Sequence, residues 1–492
     1  MSIFNTVKRK LTRPAVPNRE GRPAFAQTAE MKLVSLLLTN FLQDQFYRSK
    51  QSSYDEIVRA MGEVNPQFAA KAATFARNEY GMRTVSHVVA ANLAPTLSGT
   101  AYGKHFYNKI VRRPDDMLEI AALLRSLGVK HLPNATRKGF AKAFDRFDGY
   151  QLAKYRKENA SISLVDLVNV VHPVPTRKNA TALQQLVNGT LRNTNTWEAK
   201  LSAAGQNKKV DKATVKAEAW KELLVSGKIG YFALVRNLRN ILQDAPSLTQ
   251  RAVDILTDDR RIRTALVLPF RLFTAYRELE GSGVTAQREL RLLLEGLDVA
   301  IQRSFANMPD LGRALIVVDN SGSMGSPAAG SPKVTCAEVG ALFGLAAAAR
   351  SNADLMEFGT TARYLKYSLK DSPLKFASTF QARNRVGHGT DFSAIFRAIG
   401  SRRYERILIF SDMQSGLHRS GGDAALRKYR AQSGADPNVF CFDLRGYGTN
   451  YFPTDGGKVF QLAGFSEKAF DLLRQLETDP QALVRRIEAI EL

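Results

Sequence analysis

The stretch Ala314-Leu-Ile-Val-Val-Asp-Asn-Ser-Gly-Ser-Met324 limits most strongly what this chain can become. An apolar run rich in β-branched residues suits a strand covered on both faces, as in a parallel sheet. The crevice beyond the carboxyl ends of such strands is where open α/β sheets place ligands. Asp319, Ser321 and Ser323 would be delivered to that crevice. One carboxylate and two neutral hydroxyls are too few anions for a closed cage, but they suit an open Mg²⁺ site whose shell is completed by water or a partner.

The texture around this stretch alternates. Strand Ala314–Val318, helix Val334–Ala349, strand Ala353–Phe358, helix Phe392–Ile399, strand Arg406–Phe410, helix Ala424–Ala431 and strand Asn438–Asp443 follow one another in βα order, which predicts a doubly wound parallel sheet over residues 311–492. Two more loops can meet the first. Gly387-His-Gly-Thr390-Asp391 is a glycine-rich turn before a helix, and Ile407-Leu-Ile-Phe-Ser-Asp412 is a second apolar strand ending in a carboxylate. If those elements are neighbours, Asp319, Ser321, Ser323, Thr390 and Asp412 converge. Their hard oxygens select Mg²⁺, with Mn²⁺ as the other candidate.

Before residue 311 the pattern is helical. Met31, Val34, Leu37, Leu38, Phe41 and Leu42 recur at three- and four-residue spacings, with Asp44 and Arg48 placed to pair outside. Phe68–Tyr80, Met117–Leu127, Ala219–Val225 and Gly230–Leu242 repeat the texture, each closed by Gly, Asn or Pro, and no convincing strand interrupts them. Helix, turn, helix segments such as Asn65–Leu93 and Ser247–Tyr276, the latter ending in one helix Ile262–Tyr276, predict an α-solenoid of the HEAT kind over residues 27–310, with a compact bundle as the alternative. Residues 1–26, with Pro14, Pro17, Gly21 and Pro23 among basic residues, read as an extended basic arm.

Charge locates a partner. The chain has 70 Lys and Arg against 46 Asp and Glu, and from Leu311 onward only 23 against 18, so the excess lies in the first part and nominates it as a surface for a polyanion. Two cysteines, Cys336 and Cys441, exclude a disulfide framework and a zinc cluster, and the absence of a long apolar run or secretory leader places the chain in the cytoplasm without a membrane. Within the basic part, Lys138, Lys142 and Arg146 are spaced by four and predict a cationic stripe on one helix face, with Phe140, Phe144 and Phe147 on others.

The second part resembles a von Willebrand factor A domain: Asp319-Asn-Ser321-Gly-Ser323, Thr390 and Asp412 match its metal-ion-dependent adhesion site. Preceded by a basic helical part, and with Asn18-Arg-Glu-Gly21, Phe232–Arg239, Leu268-Pro-Phe-Arg271 and Val439–Gly448, the chain resembles the TROVE family of Ro autoantigen proteins and their bacterial orthologues. That resemblance implies a monomeric HEAT-like ring closed by the A domain. It implies Y-like RNA bound outside, single-stranded ends of misfolded RNA in a central hole, and partnership with an exoribonuclease of the polynucleotide phosphorylase kind. It also assigns RNA contacts to Lys138, Lys142, Arg146 and His172, with Arg137, Lys154, Arg156 and Lys157 beside them. His172 reads equally as a loop residue satisfying backbone groups. Arg236, Arg239 and Arg271 are candidates for the hole, although arginines in helical arrays also pair helices. The loops depart from common family wording at Asn320, His388 and Ser411, none of them a ligand. No nucleophile, base and orienter occur together, so the expectation is a binding protein rather than an enzyme. The alternative is a protein scaffold that grips an acidic partner residue through Mg²⁺.

Overall fold

The computed structural model describes residues 15–19, 22–39, 50–155, 162–191, 212–227, 229–328, 333–368, 370–415, 422–447, 449–453, 458–463, 470, 472–479 and 481–492. Phe41, Leu42, Asp44 and Arg48 of the first helical pattern lie outside the described residues, as do Arg156, Lys157 and the first fourteen residues of the arm. The chain divides into two compact units, one of Met1–Thr39, Met308–Ala328 and Val334–Ala482, the other of Asn40–Asn307, Ala329–Lys333 and Leu483–Leu492.

The first unit is built on a six-stranded sheet. Its strands are β3 (Ala314–Asp319), β4 (Asp354–Phe358), β5 (Ala362–Leu365), β6 (Arg406–Ser411), β7 (Asn438–Asp443) and β9 (Val459–Ala463), in the order β5-β4-β3-β6-β7-β9. All pairings are parallel except β4 with β5. Every residue of β3 is buried, which is why its apolar run does not alternate. Leu315 and Val317 join a core with Phe392, Ile395 and Phe396 of the helix Phe392–Ile399. Val318 and Ile316 face the helix Cys336–Ser351 on the other side, where a Cβ on Gly344 would come within 2.5 Å of Val318 and 3.5 Å of Ile316. The small-residue helix is therefore seated close against the central strand.

Two elements of this unit differ from expectation. The arm pairs: β1 (Ala15–Pro17) and β2 (Pro23–Ala26) form an antiparallel hairpin, and β2 pairs in turn with β8 (Thr449–Asn450). α1 (Ala29–Thr39), expected to open the helical part, packs on β9 instead. Gly446, at φ +64°, explains the closeness of α1, since a Cβ there would overlap Thr39 Oγ1. Residues 15–39 thus belong with the sheet unit, and the expected division into an arm over 1–26 and a helical part from 27 is corrected.

In the helical unit, α2 (Lys50–Gly62), α3 (Pro66–Glu79), α4 (Arg83–Asn92), α5 (Ala94–Leu97), α6 (Gly103–Ile110), α7 (Pro114–Ser126) and α8 (Asn134–Ala143) follow in short order. α3 packs on its sequence neighbour α4, whereas α4 packs on α7 and α6 on α8 across intervening helices. α6 and α8 approach closely at Gly139, where a Cβ would stand 2.4 Å from Tyr107 Cβ and 2.7 Å from the Lys104 carbonyl.

A buried charge cluster fastens three of these helices. Asp116 of α7, fully buried, accepts Arg77 Nη2 of α3 at 2.8 Å, Arg83 Nε of α4 at 2.7 Å and the backbone N–H groups of Arg112 and Arg113 at 2.8 and 2.9 Å. His87 Nε2 lies 3.2 Å away. Burial opposes the negative charge, yet His87, Arg77 and Arg83 together hold the carboxyl far below the usual carboxylate range.

Further along, the stretch expected as one helix Ile262–Tyr276 is two, Asp259–Thr264 and Pro269–Glu280. Leu266 adopts φ +47°, and Pro269 has no N–H to continue the earlier helix. The helix Gln287–Ser304 packs on the helix Pro269–Glu280.

Candidate metal centre and nucleic-acid interface

β3 and β6 are adjacent and parallel, so Asp319 and Asp412 leave neighbouring strands at the same sheet edge. The three loops are tied together by hydrogen bonds. Gly322 N–H donates to the His388 carbonyl at 2.9 Å, and Ser415 Oγ donates to the Thr390 carbonyl at 2.8 Å. Ser321 N–H donates to Asp319 Oδ1 at 2.8 Å, and the hydroxyls of Ser321 and Ser323 stand 3.5 Å apart. All five expected ligands are thus brought to one edge, and all are buried. Burial, with the nearby Asp412 carboxylate, pushes Asp319 well above the usual carboxylate range.

Two buried carboxylates beside three hydroxyls form a donor set that fits a hard divalent cation, whose charge would relieve the repulsion between the aspartates. Among the described residues no cluster of three or more His, Cys, Asp or Glu forms a denser metal site.

The residues where the loops depart from common wording have structural work. Ser411 donates its hydroxyl to Asp319 Oδ2 and so orients that carboxylate. Asn320 Nδ2 donates to Glu357 Oε2 at 2.8 Å and to the Phe380 carbonyl at 3.1 Å, pinning the first loop from behind. Sequence reasoning missed Asp443 and Arg445, both buried at the end of β7. Asp443 Oδ1 accepts the N–H groups of Arg445 and Gly446 at 2.9 and 2.7 Å. Burial drives the Cys336 thiol up to about 12 although the Arg445 guanidinium pulls the other way, and Asp412 and Asp443 add to the rise. A strand ending Cys-Phe-Asp-Leu-Arg was the available signal.

On the helical unit, α8 buries Ala135, Thr136, Gly139, Phe140 and Ala143 and exposes Arg137, Lys138 and Lys142. Lys142 also reaches Asp145 at 2.7 Å while remaining largely exposed. Arg146 leaves the expected stripe. α8 ends at Ala143, and Phe144–Arg146 tighten into a 3₁₀ turn that buries Phe144 and Phe147 edge to face, 6.4 Å apart. The Arg146 guanidinium is turned inward to Asn108 Oδ1 at 2.5 Å, to the Val111 carbonyl at 2.7 Å and to the Asn108 carbonyl. Its desolvation, with Arg112 nearby, lowers its pKa. Arg146 therefore staples the turn to the end of α6.

Lys154 is exposed at the end of the helix Gly149–Lys154, with its ammonium near the rings of Tyr150 and Tyr155. His172 caps the helix Leu164–Val171 in the left-handed conformation, φ 50°, and its ring is exposed. Among the described residues no side-chain hydrogen bond ties it to the backbone of its loop. Arg236 and Arg239 on the helix Tyr231–Asp244, and Arg271 on the helix Pro269–Glu280, are likewise exposed. Arg236 bonds only to its own helix, at the Phe232 carbonyl, and none of the three makes an ion pair between helices among the described residues. Sequence reasoning also passed over two exposed cations, Lys104 on α6, against which α8 packs, and Arg112 just beyond the end of that helix.

The TROVE domain model matches residues 24–214 and 187–292. Telomerase protein component 1 of Rattus norvegicus is 22% identical over 309 residues, which cover 47% of this chain and 12% of that protein. Its Mus musculus counterpart is 22% identical over 316 residues, with the same shares. The match therefore spans only about an eighth of those relatives' own length. Among solved structures, the Ro (RSR) protein of Deinococcus radiodurans superposes with a TM-score of 0.62 at 18% identity, covering 91% of this chain and 99% of that one, a likeness of fold.

Proposed function

The chain belongs to the TROVE domain family, and from that premise we propose that it binds structured, Y-like RNA through the exposed cations of its helical unit. The observation that carries this reading is α8, which presents Arg137, Lys138 and Lys142 to solvent while its other face is locked onto α6. Cations a helical turn apart on a rigid element can follow phosphates, and Lys154 and His172 extend the candidate set. Arg236, Arg239 and Arg271 are proposed to hold single-stranded ends of misfolded RNA. The protein acts in this reading by binding, without a catalytic step of its own, and passes RNA to an exoribonuclease.

The sheet unit is proposed as a von Willebrand factor A domain. Asp319, Ser321, Ser323, Thr390 and Asp412 would hold one Mg²⁺ ion, which when bound supplies an open coordination position for an acidic group of a protein partner. Ser411 and Asn320 keep the loop in place for it.

RNA binding is tested by filter binding of a hairpin RNA at several salt concentrations. Lys138→Ala with Lys142→Ala is expected to weaken binding and to lower the slope of log K against log salt by about two, one for each phosphate no longer neutralised. Asp319→Ala is expected to leave RNA affinity unchanged. Wild-type protein that retains no hairpin at modest salt refutes the reading.

The cation site is tested by thermal unfolding. Mg²⁺ at tenfold its Kd is expected to stabilise the wild-type sheet unit by about 1.4 kcal/mol, and Asp412→Ala to abolish the shift. An equal shift in the variant would place the ion elsewhere.

A further inference from the structure

A cleft of about 570 Å³ opens in the sheet unit between β5, the loop after it and the helix Pro373–Thr379. Its volume lies in the range of small-molecule sites, roughly 300–1,000 Å³. Arg363, Lys366, Lys370, Lys375 and Arg383 line it, against only two carboxylates, Glu357 and Asp371. Glu357 is buried and already used: it accepts Arg363 Nε at 2.5 Å and Asn320 Nδ2 at 2.8 Å. Lys366, Lys370, Lys375 and Arg383 are exposed, and among the described residues none of them is in an ion pair.

The wall between these cations is aromatic. The Tyr367 hydroxyl is committed to the carbonyls of Ala348 and Ala353, at 2.9 and 3.0 Å, so its ring is held in place. Phe376 lies half-buried against Phe380, with ring centroids 5.9 Å apart. Four cations against one further carboxylate, Asp371, leave the cleft net positive and call for an oxyanion, and a fixed aromatic wall in the same cleft calls for a flat ring. We propose that this cleft binds a nucleoside phosphate, the phosphate on the lysines and the base against Tyr367 and Phe376. The ligand is either a free nucleotide or the 5′-phosphorylated end of a strand. The cleft shares no residue with α8 or with the five cation ligands, so it stands or falls independently of those assignments.

The test is calorimetric titration of the full chain with AMP, and separately with adenosine and with inorganic phosphate. AMP is expected to bind at least about tenfold more tightly than either fragment. Lys370→Ala with Lys375→Ala is expected to weaken AMP at least about tenfold with an unchanged circular dichroism spectrum, whereas Lys138→Ala with Lys142→Ala keeps AMP affinity at the wild-type level. A 5′-phosphorylated oligonucleotide that displaces AMP at lower concentration than AMP itself assigns the cleft to a strand end, and weaker displacement assigns it to the free nucleotide. Absence of AMP binding, phosphate binding as tightly as AMP, or a lysine double variant that binds like wild type overturns the proposal.

Discussion

Asp116→Ala is expected to destabilise the helical unit by about 3–5 kcal/mol, the cost of leaving the buried Arg77 guanidinium without its counter-charge. The carboxylate is fully buried and serves α3 through Arg77, α4 through Arg83 and His87, and the start of α7 through two backbone N–H groups. Its removal leaves the mostly covered Arg77 guanidinium without its carboxylate, while Arg83 keeps Asp115 at 2.7 Å and Glu119 at 2.9 Å. The same cluster sets an acid limit. Because the folded carboxyl titrates below its unfolded value of about 3.9, the unfolded state binds the proton first as pH falls. The contribution is therefore complete above about pH 5 and drains away as acid approaches the folded pKa. Urea unfolding at pH 7 and pH 3 checks both points: the gap between wild type and variant is wide at pH 7 and narrower by about 1 kcal/mol at pH 3. Equal gaps would mean that Asp116 is not the titrating group.

Gly139→Val is expected to cost about 3 kcal/mol, at the upper end of what overpacking takes. Its Cβ would stand 2.4 Å from Tyr107 Cβ and 2.7 Å from the Lys104 carbonyl, and the second of these is backbone that cannot rotate away. α6 and α8 would have to separate, moving Lys138 and Lys142 off their platform, so hairpin binding should fall along with the unfolding midpoint. Gly62→Ala at the end of α2 is the control. A Cβ there meets nothing within 4 Å, and the change should be neutral or slightly stabilising. A Gly139→Val protein that unfolds like Gly62→Ala would show that the helices can part at little cost.

How far the sequence leads depends on the range over which each contact is encoded. β3, β4, β6 and β7 were legible because strands buried on both faces print as unbroken apolar runs, and the side chains that end β3 and β6 can meet wherever those strands are neighbours. β1 and β2 were not, because strands of three and four residues containing Pro17 and Pro23 carry no pattern of their own. Arg146 was misplaced because a spacing of four means one face only while the helix lasts, and burying both Phe144 and Phe147 ends it. Ser411 and Asn320 read as neutral departures in a loop, and only contact with Asp319 and Glu357 gives them a role. The cleft went unread because its cations, from Arg363 to Arg383, follow no single period: a strand, a loop and a short helix turn them to one cleft.

The pairing of β2 with β8 joins Phe25 to Asn450. On a ribosome adding about 5–20 residues per second, the first of these waits on the order of 20 to 90 s for the second to be made. Throughout that time the hairpin edge and the side of α1 that packs on β9 lack those partners, while the described helices from Lys50 to Ser304 can find neighbours as they emerge. The sheet unit therefore cannot complete its packing until β8 and β9 have been made.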